Sequence, residues 1–156
     1  MDSLMEAMEF LAVRCEGDAD KNGVPYWTHP VAVFLRTREM MEELRLDGSA
    51  CIAALLHDAV EDGKATFEEV ETRFGPKVCG EVRLLTHRKG IPYPEYIDGI
   101  IASGCREAMA VKLADLLHNT DPDRLGRLPE DVRVRLLDKY GPAKAKMEKA
   151  LASAKA

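Results

Sequence analysis

Apolar residues recur along this chain at helical rather than strand spacing, and the breaks between apolar segments carry residues that end helices. Leu4, Met5, Met8, Leu11 and Ala12 share one face of a predicted helix over residues 2–16. Gly17, Gly23 and Pro25 make residues 17–28 irregular. Thr28 suits an N-cap and Pro30 a first helical turn, which puts His29 at the start of a helix running to about Leu46. Ser49 suits the cap of the next helix, 50–60, which Gly63 closes off. Thr66-Phe67-Glu68-Glu69 has the form of a capping box and opens a short helix to Phe74. Gly75-Pro76 breaks it, and a further helix spans 77–86. After a polar loop over 87–92, Pro94 starts a helix to Ala102, with Ser103-Gly104 as its break. Residues 105–118 form a strongly apolar helix, and Pro122 and Pro129 bracket a turn. A last helix begins near Pro129, with an interruption or kink expected at Gly141-Pro142 and fraying after Lys144. No segment sustains strand alternation. The expected fold is all-α, a compact orthogonal bundle forming one domain over residues 1–156.

Two apolar stretches carry chemistry that an apolar stretch does not need. Ala53-Ala54-Leu55-Leu56-His57-Asp58-Ala59-Val60-Glu61-Asp62 runs from a helical core segment into an imidazole and three carboxylates. Asp115 interrupts the apolar run of Lys112-Leu113-Ala114-Asp115-Leu116-Leu117. An unpaired carboxylate in either place is costly, so each should have a cationic partner. A lone His-Asp pair also reads as a helix-end histidine beside a solvated carboxylate. Taken with His29 and Asp115, His57 and Asp58 make a set of two nitrogens and two oxygens from three distant segments. Such a set suits Mn²⁺, Fe²⁺ or Zn²⁺ and does not choose among them. Lys112 can pair with Asp115 at i, i+3, although the core position makes that pairing less attractive than a metal. His118 reads as packing, or as a hydrogen-bond partner of Asp115, rather than a ligand.

Composition narrows the function classes. At 156 residues the chain suits one well-filled domain, and 46% hydrophobic with 31% charged residues fits a globular protein. The net charge of −5 argues against a nucleic-acid footprint. No apolar run approaches the ~20 residues of a membrane span. The N-terminal Met1-Asp2-Ser3-Leu4-Met5-Glu6 lacks a basic leader. Cys15, Cys51, Cys79 and Cys105 form no Cys-x-x-Cys pair and read as reduced thiols, which points to a cytoplasmic protein.

The order His … His-Asp … Asp resembles the HD superfamily of metal-dependent phosphohydrolases. The flanking residues narrow the resemblance to the alarmone hydrolases, which remove the 3′-pyrophosphate of ppGpp. Gly23-Val24-Pro25-Tyr26-Trp27-Thr28-His29-Pro30 is similar to their Gly-x-Pro-Tyr-x-x-His-Pro segment. Leu55-Leu56-His57-Asp58-Ala59-Val60-Glu61-Asp62 is similar to Leu-Leu-His-Asp-x-x-Glu-Asp, and Thr66 with Phe74-Gly75 fits the segment that follows. Lys112-Leu113-Ala114-Asp115 with Leu117-His118-Asn119 is similar to their Lys-Leu-Ala-Asp block. The likeness runs from about residue 10 to 120.

The resemblance implies an enzyme that hydrolyses ppGpp to GDP and pyrophosphate with one divalent metal, manganese in first place. It implies His29, His57, Asp58 and Asp115 as metal ligands, Glu61 and Asp62 as the catalytic acidic pair, and Lys21 and Asn119 on the nucleotide side. Because the chain leaves no room for a synthetase domain, a small stand-alone hydrolase is expected. Asp20 stands where family members place an arginine, Leu116 replaces another arginine, and Thr120-Asp121-Pro122 replaces Met-Arg-Thr. Those departures keep two alternatives open: a nucleotide phosphatase or 5′-nucleotidase on the same metal centre, and a non-catalytic nucleotide-binding module. Smaller expectations concern the cleft. Tyr26 and Trp27 should pack the first loop, His87-Arg88-Lys89 is a polar loop with phosphate contact as its functional option, and Tyr140 beside Lys139 can border a nucleotide pocket.

Overall fold

The structure, a computed structural model, describes residues 3–154. Among them every regular element is a helix: α1 Ser3–Arg14, α2 Thr28–Leu44, α3 Ser49–Leu56, α4 Phe67–Leu85, α5 Tyr93–Ser103, α6 Arg106–Asn119, α7 Pro122–Leu125 and α8 Glu130–Ala154. The one extended pairing among these residues is an isolated bridge between Ala19 and Pro25 in the first loop. The fold is the all-α bundle that the spacing predicts. None of its helices is long and apolar enough to cross a membrane.

Two helices are buried all round, and the others surround them. Ala50 through Leu56 in α3 are all buried, as are Ala108 through Leu116 in α6. A helix apolar on every side has to be covered on every side. α2 packs on both, α1 and α4 cover α3, and α4 and α8 cover α6. The outer helices bury stripes instead. Pro30, Val33, Phe34, Thr37 and Leu44 form the inward stripe of α2.

Several boundaries differ from the sequence expectation, each for a local reason. In α1 the buried face is Ala7, Phe10 and Leu11, while Met5 and Met8 are largely exposed. Phe10 turns the helix, because it meets Phe74 of α4 edge-on at 5.9 Å. The residue before α2 is Trp27, which makes no side-chain cap, so Thr28 is the first helical residue rather than the cap. Ser49 likewise begins α3, and Asp47 Oδ1 accepts from its backbone N–H at 2.9 Å. The capping box at Thr66 and Glu69 forms as expected. Gly75 breaks α4 at φ 89°, a left-handed conformation open to glycine at little cost.

α8 runs unbroken through Gly141-Pro142 and on to Ala154, where a kink and a frayed tail were expected. Pro142 is exposed, and so is Asp138, whose carbonyl loses its helical donor at the proline. Ala143, Met147 and Leu151 are buried, and α8 packs on α5 and α6. That burial holds the helix past the point where propensity alone would end it. Residue 2 of the first predicted helix lies outside the described residues.

Candidate metal centre and cleft

α3 stops at Leu56, four residues short of its expected end, and the site begins there. His57 takes the C-cap position, and its Nδ1 donates to the Ala54 carbonyl at 2.7 Å. This bond satisfies one of the carbonyls orphaned at a helix end. With Nδ1 committed to that carbonyl, Nε2 is the ring nitrogen that points into the site. The chain continues in turns, with the Asp62 N–H donating to the Asp58 carbonyl at 2.9 Å. Glu61 and Asp62 lie in these turns, beyond the end of α3.

His29 enters from the first turn of α2 and Asp115 from the buried middle of α6. His29 Nε2 lies 2.9 Å from Asp115 Oδ1, 3.3 Å from His57 Nε2 and 3.6 Å from Asp58 Oδ2. His57 Nε2 lies 3.2 Å from Asp58 Oδ2 and 3.7 Å from Asp115 Oδ1. Four side chains from three segments thus bring their ligand atoms together, and His29, His57 and Asp115 form a cluster able to hold an ion. Burial opposes a charge on His57, yet the carboxylates of Asp58 and Asp115 outweigh it and raise the imidazole pKa well above its usual value. The local field favours positive charge at the point where the donors converge. That donor set and that field fit a divalent cation.

The cluster is held from behind. Lys112, expected to leave Asp115 free, makes the i, i+3 bridge: its Nζ donates to Asp115 Oδ2 at 2.8 Å. Burial pushes the Asp115 carboxyl up, but Lys112 and the two imidazoles hold it well below the carboxylate range. The bridge uses the outer oxygen only, so Oδ1 still faces the imidazoles. Asn119 Nδ2 also donates to Oδ1, at 2.9 Å.

His118 does not bond Asp115. Its Nδ1 faces His29 Nδ1 at 2.6 Å and Arg124 Nη1 at 3.0 Å. Arginine can only donate, so His118 Nδ1 is an acceptor and the proton in the first contact belongs to His29 Nδ1. Burial and the Arg124 charge push the His118 pKa down to about 4, which keeps the ring neutral and accepting. His118 therefore holds the His29 ring with Nε2 toward the cluster, the part that a carboxylate, carbonyl or water commonly plays behind a metal-binding histidine.

In front of the cluster lies a cleft of about 730 Å³, a size that suits a nucleotide-scale ligand. His29, Asp58, Glu61, Asp115 and Asn119 line it, with Lys112, Arg124, Arg127 and Lys139 as its cations. Tyr93, Tyr96 and Tyr140 supply an aromatic wall, as expected for Tyr140. Lys139 Nζ lies 4.8 Å above the Tyr93 ring, and Lys112 Nζ 5.0 Å above Tyr96.

The remaining candidates separate. Glu61 Oε1 accepts the His87 N–H at 2.6 Å, and burial raises its pKa. Asp62 is outside the cleft lining and accepts the Tyr26 hydroxyl. Tyr26 thus does more than pack the loop. Lys21, Arg88 and Lys89 are exposed and outside the lining, whereas His87 lines the cleft and stacks on Tyr96 at 4.6 Å. Asp20 is on the rim, and its Oδ1 accepts the N–H groups of Asn22 and Val24 at 2.8 and 3.0 Å. Asp121 caps α7 and pairs with Arg36 at 3.0 Å, and Leu116 is fully buried.

The cations on α8 and near α7 escaped sequence reasoning. Arg124, Arg127 and Lys139 sit in polar segments indistinguishable from solvated surface. A weak signal did exist in Tyr140 beside Lys139.

The family model described as HD domain matches residues 7–121. The chain is 40% identical over 121 residues to the guanosine-3′,5′-bis(diphosphate) 3′-pyrophosphohydrolase MESH1 of Drosophila melanogaster. That match covers 74% of this chain and 66% of the fly protein. It is 33% identical over 140 residues to the bifunctional (p)ppGpp synthase/hydrolase SpoT of Escherichia coli K12, covering 81% of this chain and 19% of SpoT. The chain therefore spans just under two thirds of one of these relatives and about a fifth of the other. A solved structure described as a metazoan orthologue of SpoT that hydrolyses ppGpp superimposes with a TM-score of 0.70 at 30% identity. That superposition covers 99% of this chain and 94% of the other. With His29, His57-Asp58 and Asp115 converging inside the matched region, the chain belongs to the HD-domain family and resembles its ppGpp-hydrolysing members.

Proposed function

We propose that this protein hydrolyses the 3′-pyrophosphate of ppGpp, releasing GDP and pyrophosphate, with one manganese ion held by His29, His57, Asp58 and Asp115. The observation that carries this reading is the convergence of those four ligand atoms at the base of a cleft lined with cations. The names of the relatives support the choice of substrate. A divalent ion supplies Lewis acidity toward a phosphoryl oxygen and lowers the pKa of water beside it.

The chain's own residues do the rest. Glu61 faces the cleft with a raised pKa and accepts the proton of the attacking water. Asp62, held by the Tyr26 hydroxyl, is the second carboxylate of the pair and fixes the first loop over the site. Lys112 and Asn119 keep Asp115 ionised and aimed inward, and His118 does the same for His29. Lys139, Arg124 and Arg127 bind phosphate oxygens, with Asn119 on the nucleotide side. Lys21 reaches the nucleotide only if its exposed side chain turns toward the cleft. Asp20 spends one oxygen on its own turn, and its place on the rim favours a second reading, a nucleotide phosphatase acting on another substrate.

Residues 3–154 act as one HD-type unit in this reading, because α8 lies beyond the matched region yet contributes Ala143, Met147 and Leu151 to the core. We place the protein in the cytoplasm, where its thiols stay reduced. Incubation of the Mn²⁺-loaded chain with ppGpp should release pyrophosphate. Orthophosphate from a deoxynucleoside monophosphate, with ppGpp untouched, identifies the second reading instead. Metal binding with no turnover of either substrate identifies a binding module.

A further inference from the structure

A second group of ligand-type side chains lies away from the cleft, where α4 meets the start of α6. Glu81, Cys105 and Glu107 each place one ligand atom, a carboxylate oxygen or the thiol sulfur, within 4.8 Å of the other two. Cys105 Sγ is 3.9 Å from Glu107 Oε2. Asp115 is roughly two turns further along α6, about 12 Å by helical rise, so the two clusters sit at opposite parts of one helix.

Glu81 makes this more than an acidic patch. It is 2% exposed, and its Oε2 has no hydrogen-bond partner, while Ser49 Oγ donates to Oε1 at 2.6 Å. A buried carboxylate oxygen without a partner is costly, and burial pushes this carboxyl up to about 7. The nearby cation, Lys77, lowers the carboxyl only through space and makes no hydrogen bond to Oε2. Lys77 pairs with Asp47, and its Nζ is 3.6 Å from Glu107 Oε1. The Asp47 N–H reaches Glu107 Oε1 at 3.5 Å. Glu81 Oε2 is thus buried without a hydrogen-bond partner, beside a thiol and a second carboxylate.

We propose that Glu81, Cys105 and Glu107 form a second metal site that takes a thiolate-preferring divalent ion of the zinc type. One sulfur and two carboxylate oxygens are a borderline-soft donor set, which sets this site apart from the two-nitrogen, two-oxygen cluster at His57. Donors about 2.0–2.3 Å from a tetrahedral ion stand roughly 3.5 Å apart, so the three atoms need only side-chain adjustments to close on one. Lys77 stays with Asp47 when the ion enters. The ion staples α4 to the first turn of α6 and fixes the helix that carries Asp115. The inference is independent of the substrate proposed above.

Cobalt is the probe, because a thiolate ligand gives a sulfur-to-cobalt charge-transfer absorption that the sulfur-free His57 cluster cannot give. Titration of the full chain with Co²⁺ should bring this band up with one ion more per chain than the Asp58-dependent ion. Cys105→Ser should remove both the band and that extra ion while leaving ppGpp turnover in place. In the unmodified chain, saturating Zn²⁺ should slow alkylation of Cys105 by roughly tenfold, since a coordinated thiolate is masked. No thiolate band at saturating Co²⁺, a band that survives Cys105→Ser, or Cys105 alkylation indifferent to Zn²⁺ would each overturn the site.

Discussion

Replacing Asp58 by alanine is expected to abolish manganese uptake and turnover together, with little change in thermal stability. Its Oδ2 faces His57 Nε2 at 3.2 Å and His29 Nε2 at 3.6 Å, and its side chain is 29% exposed. Removing it takes one of the two carboxylates proposed as ligands from the cluster. Loss of an outer-shell partner alone typically costs about 10–100-fold in metal affinity, and loss of a ligand should cost at least that much. Equilibrium dialysis against Mn²⁺ and a pyrophosphate-release assay, run on the same sample, measure the two effects. Full manganese loading in Asp58→Ala would remove Asp58 from the ligand set.

The position matters because Asp115→Ala cannot give the same answer cleanly. Asp115 carries Lys112 on its other oxygen, and Lys112 is buried. Deleting Asp115 would strand that ammonium, at a cost of about 3–5 kcal/mol, so lost activity would be confounded with lost fold. Asp58 is the proposed ligand whose removal tests chemistry before stability.

Glu61→Gln should keep the metal and lose turnover, by about 10²–10⁴-fold if Glu61 is the proton acceptor. Glutamine keeps an oxygen for the His87 N–H, so the loop over 87–92 stays in place. Only the basic carboxylate is gone. The pH dependence gives a second check. A base works when deprotonated, and burial raises the Glu61 pKa. Activity in the parent should therefore fall away on acidification at a higher pH than an ordinary glutamate would set, and this limb should vanish in the variant's residual rate. Asp62→Ala is expected to bind metal as well and to lose turnover, because it frees Tyr26 and the first loop. A Glu61→Gln variant with full rate and an unchanged acidic limb would assign the proton transfer elsewhere.

The sequence was most legible where one residue type has one job. His57 and Asp58 at the end of an apolar run, and Asp115 inside another, stood out because buried ionisable groups need partners. The capping box at Thr66 and the glycine break at Gly75 were legible for the same reason, since each is local chemistry. The sequence was least legible where a residue had several possible partners. His118 had two possible partners, and the approach of Arg124 decided that it accepts from His29. Lys112 read as a competitor for Asp115, yet it takes one oxygen and leaves the other. Beyond the neighbouring Tyr140, no residue near Lys139 in the sequence signals that α8 lays it over Tyr93.

Taken by itself, the sequence determined the helices, the apolar cores of α3 and α6, and the identity of the donors that meet. Periodicity, capping residues and the cost of buried charge act within a turn or two of chain, so they can be read along it. The tertiary structure alone decided which nitrogen of each histidine faces inward, which carboxylate of the Glu61-Asp62 pair lines the cleft, and which cations stand across from it. It also carried α8 through Pro142. These outcomes depend on contacts between residues far apart in the chain, such as Tyr26 with Asp62 and Met147 with the core, and their energies exist only once the helices have packed.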